Sequence, residues 1–271
     1  MTVVYGANGF IGSHFYDKYG DYKMGRNDIV PPDGTSKIVY FISTVDNYNV
    51  FTNPYIDIET NLIHLVRVLE ACKGKYIEFT FISSWFVYGE VELPANEESH
   101  CNPKGFYSIT KRAAEQLLES YCNTFGMIYK IVRLSNVIGK DDRKVSKKKN
   151  ALQYLINEIK DGNSVSLYNS GNFYRDFIHV DDAVDGIHLV SQSGLPGNIY
   201  NLGSGESPIL FKQIIEYVCS TLNKNVTIQN MEPPKFHSLI QINSMILDIK
   251  KIKKLGYIPK YSIFEAVKRL L

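Results

Sequence analysis

Apolar runs and helical stripes alternate through the first half of the chain. Residues 2–5, Thr-Val-Val-Tyr, form an apolar run that predicts a buried strand, and residues 10–19 predict a helix closed by Gly20. Residues 21–25 read as a weak second strand. Residues 37–42, Lys-Ile-Val-Tyr-Phe-Ile, are a continuous apolar strand of the kind found in a parallel sheet covered on both faces. Residues 57–72 carry Leu62, Leu65, Val66 and Leu69 at helical spacing. A strand at 76–82 follows, then a helix at 107–121 with Ala113, Ala114, Leu117, Leu118 and Tyr121 on one side, then a strand at 128–134. This repeated β-α-β order predicts an α/β fold, a Rossmann-type doubly wound parallel sheet with ligand sites at the carboxyl ends of its strands.

Beyond Asn136 the pattern loosens. A helix at 151–160, an apolar run at 165–168 and a strand at 177–180 are expected, the last leading into a helix capped by Asp181 or Asp182. A strand at 198–202 and a helix at 210–222 come next. A short helix at 248–255 is stopped by Gly256 with Pro259 beyond, and Ser262 with Glu265 forms a capping box for the last helix. The expected division is a first α/β domain over 1–135, to which segments from about 176–203 return, and a smaller mixed α/β domain over 136–271.

Composition narrows the function classes. At 271 residues the chain can bury a large core, and 44% apolar and 21% charged residues are ordinary for a soluble globular protein. A formal charge of +2 gives no reason to expect nucleic acid or an acidic membrane as partner. The N-terminus reads directly as a core strand, without a signal peptide, and no run approaches a membrane span, so a cytoplasmic location is expected. Cys72, Cys101, Cys122 and Cys219 make no Cys-x-x-Cys pair and no metal spacing with histidine, and read as reduced thiols. No metal is expected. The basic stretch 141–149 reads as a solvated loop, with a flap attracted by an anionic substrate as the alternative.

The first strand breaks into Gly6-Ala7-Asn8-Gly9-Phe10-Ile11-Gly12 before the first helix. The first glycine permits a tight turn, the second lets backbone N–H groups approach a pyrophosphate, and the third lets helix and strand pack closely. The spacing is G-x-x-G-x-x-G, and an ordinary glycine turn is the alternative. Further on, Tyr107-Ser108-Ile109-Thr110-Lys111 sets a phenol and an ammonium one helical turn apart. A nearby cation favours the phenolate, which suits tyrosine to acid/base work near neutral pH. Ser84 lies 23 residues upstream at the end of a predicted strand, within Ser83-Ser84-Trp85-Phe86-Val87-Tyr88-Gly89.

With these motifs the chain resembles the extended short-chain dehydrogenases/reductases, the NAD(P)-dependent nucleotide-sugar epimerase/dehydratase family. The likeness runs from residue 2 to about 260 and includes residues 133–139, 175–182, 200–205 and 255–259. It implies that Tyr107 shuttles a proton at a sugar hydroxyl, that Lys111 holds the nicotinamide ribose, and that Ser84 hydrogen-bonds the same sugar oxygen. It implies cofactor contacts at Gly6, Asn8, Gly9, Phe10, Ile11, Gly12, Phe41, Ile42, Ser43 and Asn61, and substrate contacts at Ser84, Trp85, Asn136 and Arg175. Asn136 as a strand-end turn residue, and Arg175 as a partner of Asp176 or Asp182, are the alternatives. The family also implies a homodimer through the helices at 57–72 and 107–121.

Four departures refine the expectation. Trp85-Phe86 stand where the family's dehydratases carry an Asp-Glu pair, so dehydration is not expected; epimerases have small residues there. These rings tighten the pocket or stack on the sugar, or else point into the core, the fate favoured for Phe86. Only about 25 residues separate Gly12 from the strand at Lys37, so the sheet should lose an edge strand beside the adenosine pocket. Arg26, at the end of the second strand, is placed to meet a 2′-phosphate and favours NADP, while Asp28 is a rival that favours NAD. The family's second phosphate-binding arginine is missing near Lys235-Phe236-His237, where Lys235 or His237 is the candidate substitute. The first expectation is a 4-ketoreductase acting at C4 of a nucleotide-diphosphate deoxyhexose, in the making of surface-polysaccharide sugars. A 4-epimerase with bound NAD is second, and a non-catalytic nucleotide sensor a distant third.

Overall fold

A computed structural model describes the chain except Asp46, Arg143, Lys144, Lys147, Lys148, Ser207 and Gln241. The basic stretch at 141–149 therefore lies partly outside the described residues. Its elements begin with β1 (Thr2–Tyr5), α1 (Phe10–Tyr19), β2 (Tyr22–Met24) and β3 (Lys37–Tyr40). Then α2 (Tyr55–Ile58) runs through a π-turn at Glu59–Ile63 into α3 (His64–Cys72), followed by β4 (Glu78–Ser84), α4 (Phe106–Phe125), β5 (Ile128–Leu134) and β6 (Asn136–Ile138). Next come α5 (Ala151–Lys160), β7 (Val165–Tyr168), β8 (Phe177–His179), α6 (Val180–Ser193) and β9 (Asn198–Leu202). The chain closes with α7 (Phe211–Thr221), β10 (Ile228–Met231), α8 (Lys235–Ile240), α9 (Lys250–Lys253) and α10 (Ile263–Lys268).

The central sheet has six strands in the order β2-β1-β3-β4-β5-β9, each pair parallel. Strand side chains alternate between its faces, which explains the unbroken apolar runs. Val4, Val39, Ile82 and Val132 pack with Phe15 of α1 and with Ala183, Val184 and Ile187 of α6. Val3, Tyr5, Ile38, Tyr40, Phe79, Phe81 and Ile131 pack on the other face with Leu65, Val68 and Leu69 of α3 and with Ala114 and Leu118 of α4. A third core joins α5, α7 and α10 through Leu152, Ile156, Ile214, Ile215, Ile263 and Val267. The short pairs β7–β10 and β6–β8 lie outside the main sheet.

Strand β2 is an edge, and no strand occurs between Met24 and Lys37, which matches the expected loss of an edge strand. Several boundaries differ from the sequence reading for identifiable reasons. Strand β3 stops at Tyr40, because the Phe41 N–H bond to the Tyr5 carbonyl (2.9 Å) is the last partner before β1 turns away at Gly6. The stretch at 57–72 is not one continuous α-helix, since the π-turn interrupts it, and Val68 and Cys72 rather than Val66 complete its buried face. Leu117 is exposed on α4. Helix α6 is capped by neither aspartate: the His179 ring accepts the Asp181 N–H, while Asp182 accepts the N–H groups of Lys260 and Tyr261, both at 3.0 Å. All four cysteines are free, and among the described residues no helix is long and apolar enough to cross a membrane.

Candidate active site

The glycine turn fits a dinucleotide. Gly6 has φ of +83°, and a Cβ there would meet the Ile42 nitrogen at 3.1 Å, so the turn lies against the exit of β3. The Gly9 N–H donates to the Gly6 carbonyl at 2.9 Å, and a Cβ on Gly12 would run into that same carbonyl oxygen. Gly9 caps α1 with no side chain on the first N–H groups, leaving these donors and the positive helix end for an anion. Asn8 is exposed, Phe10 and Ile11 are half-buried, and Phe41, Ile42 and Ser43 leave β3 beside the turn. Asn61 is buried instead, its amide accepting from Ser43 Oγ and the Thr44 N–H and donating to Thr44 and Thr110. It braces the loop after β3 against α4.

At the outer end of the turn Arg26 is exposed, and among the described residues its guanidinium has no salt-bridge partner. Asp28 folds back, its carboxylate accepting the Gly25 N–H at 2.6 Å. Both candidates for reading the ribose thus sit in one turn after β2, with Asp28 already engaged.

Ser84 ends β4, and α4 begins at Phe106 behind Gly105, so Ser84, Tyr107 and Lys111 converge at the carboxyl edge of the sheet. The Tyr107 phenol is pushed up to about 12 by burial, with the Asp57 charge adding to the rise and hydrogen bonds to Ser84 and Ser43 opposing it. Lys111 is pulled down to about 7 by burial, against the nearby Glu115 carboxylate, which favours its charged form. Its Nζ donates to the Ile82 carbonyl at 2.6 Å and lies 4.1 Å from the Phe81 ring centre. Lys111 therefore does not lower the Tyr107 pKa here: the amine turns onto the strand, and desolvation outweighs the expected charge effect.

Next to Ser84, the order of the two aromatics is reversed from expectation. Trp85 is the core residue, 3% exposed, and Phe86 stays half-buried with its ring edge-on to Tyr107 at 6.1 Å. The Trp85 indole N–H donates to Asn136 Oδ1 at 3.3 Å, and Asn136 donates to the Asp176 carbonyl at 2.9 Å. Arg175 pairs with neither aspartate. Asp176 accepts the Ser204 N–H, and Asp182 is taken by the 260–261 backbone. Arg175 lines a cavity of about 250 Å³ with Tyr168, Asn169, Phe173 and His237. His237 reaches this wall with its Nδ1 3.0 Å from the Tyr48 hydroxyl, whereas Lys235 does not line the cavity.

Known proteins share this architecture. The profile of the NAD dependent epimerase/dehydratase family matches residues 29–203. The chain belongs to this family. A putative UDP-glucose 4-epimerase of Methanocaldococcus jannaschii is 26% identical over 307 residues, spanning 100% of this chain and 97% of the relative. The UDP-glucose 4-epimerase of Thermus thermophilus, solved with NAD, superposes with a TM-score of 0.84 at 22% identity, covering 99% of this chain and 96% of that one. RMD from Pseudomonas aeruginosa, complexed with NADPH, gives 0.83 at 21% identity, over 100% and 97%.

Sequence reading of this epimerase/dehydratase family member missed a layer of buried polar residues. Around Lys111, Ser108, Thr110 and Glu115 are buried on α4, with Thr44 and Asn47 facing it from the loop after β3 and Asp57 from α2. The signal was present: polar residues at 108, 111 and 115 recur at helical spacing on the face opposite the solvent. Glu115 holds Arg133 and Arg112 in one network, and its charge favours the ammonium form of Lys111.

Proposed function

We propose that this family member is an NADP-linked reductase of a 4-keto sugar nucleotide. The observation that carries the reading is the wall beside the reacting centre: Trp85 is buried and Phe86 stands edge-on to Tyr107. That leaves less room for a keto-sugar to turn over than the small residues of epimerases do. The glycine turn and α1 would hold the dinucleotide, residues 1–135 with the returning 176–203 forming its domain, and 136–271 would supply the rest of the substrate pocket.

A bound nicotinamide supplies the hydride for the sugar carbonyl, chemistry that belongs to the cofactor. Tyr107 stays protonated at neutral pH, as burial and Asp57 favour, and donates its proton to the ketone oxygen. Ser84 hydrogen-bonds that oxygen and orients it. Lys111 would swing from the Ile82 carbonyl to the ribose hydroxyls, and charging it favours the anionic dinucleotide. Asn136 and Arg175 would take the nucleotide diphosphate, with His237 on the same wall. Arg26 in the turn after β2 supports NADP, as its guanidinium has no salt-bridge partner among the described residues. A homodimer through the α2–α3 and α4 helices is the expected assembly.

The second reading is a 4-epimerase with bound NAD, favoured by the full-length likeness to the Methanocaldococcus jannaschii protein. Purified protein separates the two. A reductase arrives without cofactor and oxidises added NADPH only with a 4-keto sugar nucleotide. Protein that carries NAD and interconverts sugar nucleotides with nothing added would overturn the reductase reading.

A further inference from the structure

Arg175 is a half-buried cation with no carboxylate partner among the described residues. Its Nη2 donates to the Ile242 carbonyl at 3.0 Å and toward that of Asn243 at 3.5 Å, while Nη1 is buried with no partner among the described residues. The Glu90 carboxylate on the same cavity wall is drawn off by Lys104 at 3.1 Å. A desolvated charge left this way is costly unless an anion or another compensating group meets it.

Two aromatic faces meet it in part. The guanidinium carbon lies 4.9 Å from the Trp85 ring centre and 5.2 Å from that of Phe173. Trp85 in turn is held by two neighbours, one of them itself fixed. Phe86 stacks on it at 3.9 Å, its indole N–H is fixed by Asn136, and Asn136 is fixed by the carbonyl of Asp176, the residue next to Arg175. The contacts Trp85–Asn136–Asp176–Arg175–Trp85 close into a ring, and Ser84 precedes Trp85 in the chain.

We propose that Trp85 is a positioning residue that holds the Arg175 guanidinium against the cavity for the diphosphate of the substrate, tying that grip to the strand end that carries Ser84. This rests on Arg175 as the substrate's anion-binding residue in the reading above. The aromatic face orients the cation without neutralising it, so the charge stays available to the phosphate oxygens. A carboxylate in the place of Trp85 would hold Arg175 equally well but would cancel the charge that the substrate needs.

Trp85 is the chain's single tryptophan, so its emission reports on this contact directly. The probes are UDP, dTDP, GDP and CDP, titrated into the whole protein, with NADP⁺ titrated separately. At least one diphosphate should change the emission saturably in the wild type and not in Arg175→Met. Trp85→Leu should weaken calorimetric binding of that diphosphate about tenfold and raise the substrate KM with little change in kcat, Trp85→Phe should stay within about threefold, and NADP⁺ binding should not move. Wild-type diphosphate binding without an emission change overturns the proposal even if Trp85→Leu fails to fold. So does a Trp85→Leu variant that binds like wild type, or a Trp85→Phe variant as weak as Trp85→Leu. If Arg175→Met binds the diphosphate normally, or none of the four binds, the reading of Arg175 itself fails, and the Trp85 proposal with it.

Discussion

Glu115 accepts Arg133 through both carboxylate oxygens, at 3.0 Å from Nε and 2.8 Å from Nη2, one helical turn beyond Lys111. Both side chains are at most 2% exposed. Their pairing fastens α4 to β5 and places a negative charge behind the amine of the candidate site. Breaking one partner of a buried pair strands the other, at a cost of about 3–5 kcal/mol. Glu115→Ala should therefore lose stability of that order in urea unfolding, and a loss below about 1 kcal/mol would remove the pair from the account.

Burial holds the Lys111 amine at a cost in stability. A lysine lowered to about 7 from its ordinary 10.5 binds fewer protons folded than unfolded between those values, so its contribution to stability rises with pH across that window. Lys111→Met should be more stable than wild type at pH 7, with the advantage shrinking toward pH 10, and should lose turnover. Each kcal/mol recovered corresponds to roughly 2–4 °C in Tm. A variant less stable than wild type at pH 7 would contradict the burial argument.

Tyr107→Phe removes only a hydroxyl at a half-buried ring. Turnover should fall about 10²–10⁴-fold, the usual contribution of a positioned proton donor, while the dinucleotide binds as before. Unchanged turnover takes Tyr107 out of the mechanism.

Arg26→Ala tests the choice of dinucleotide. A charge-assisted hydrogen bond contributes about 1.5–3 kcal/mol, so KM for NADPH should rise about 10–100-fold while that for NADH stays level. Equal effects on both cofactors would shift the ribose reading to Asp28.

Away from the site, Asp185 gathers Lys18 at 2.5 Å, Lys260 at 2.6 Å and the Tyr19 hydroxyl at 2.6 Å, joining α1, α6 and the segment before α10. Although its partial burial opposes ionisation, these three hydrogen bonds hold the carboxyl near 2, below its ordinary 3.8. Its stabilisation is present above about pH 4 and is lost as pH falls through 2. Asp185→Asn should cost about 0.5–1 kcal/mol at pH 7, discounted for solvent screening, and nothing at pH 2. A pH-independent difference would assign the effect to packing.

Much of the fold was legible because most strands of the sheet are short apolar runs set off by turn signals, the exposed edge β2 being the exception. Gly6, Gly20 and Gly256 mark true boundaries, and Ser262 with Glu265 forms the expected capping box. The missed features depend on partners far along the chain. Nothing local distinguishes Asp182 as a cap from Asp182 as the acceptor for the 260–261 backbone, nor His179 as the group that caps α6. The exchange of Trp85 and Phe86 between core and site follows from Asn136 and Arg175, which lie 51 and 90 positions away.

The sequence by itself determined the alternation of strands and helices, the glycine turn that opens it, the shortened stretch before β3, and the spacing of Ser84, Tyr107 and Lys111. These are matters of period and local sterics, which a single strand or helix carries alone. Tertiary structure decided the charge states and the pairings. Burial raises Tyr107 and lowers Lys111 despite their closeness, since desolvation depends on everything packed around a group. It also left Arg175 without a carboxylate among the described residues and set Trp85 beside it, an arrangement no spacing along the chain could reveal.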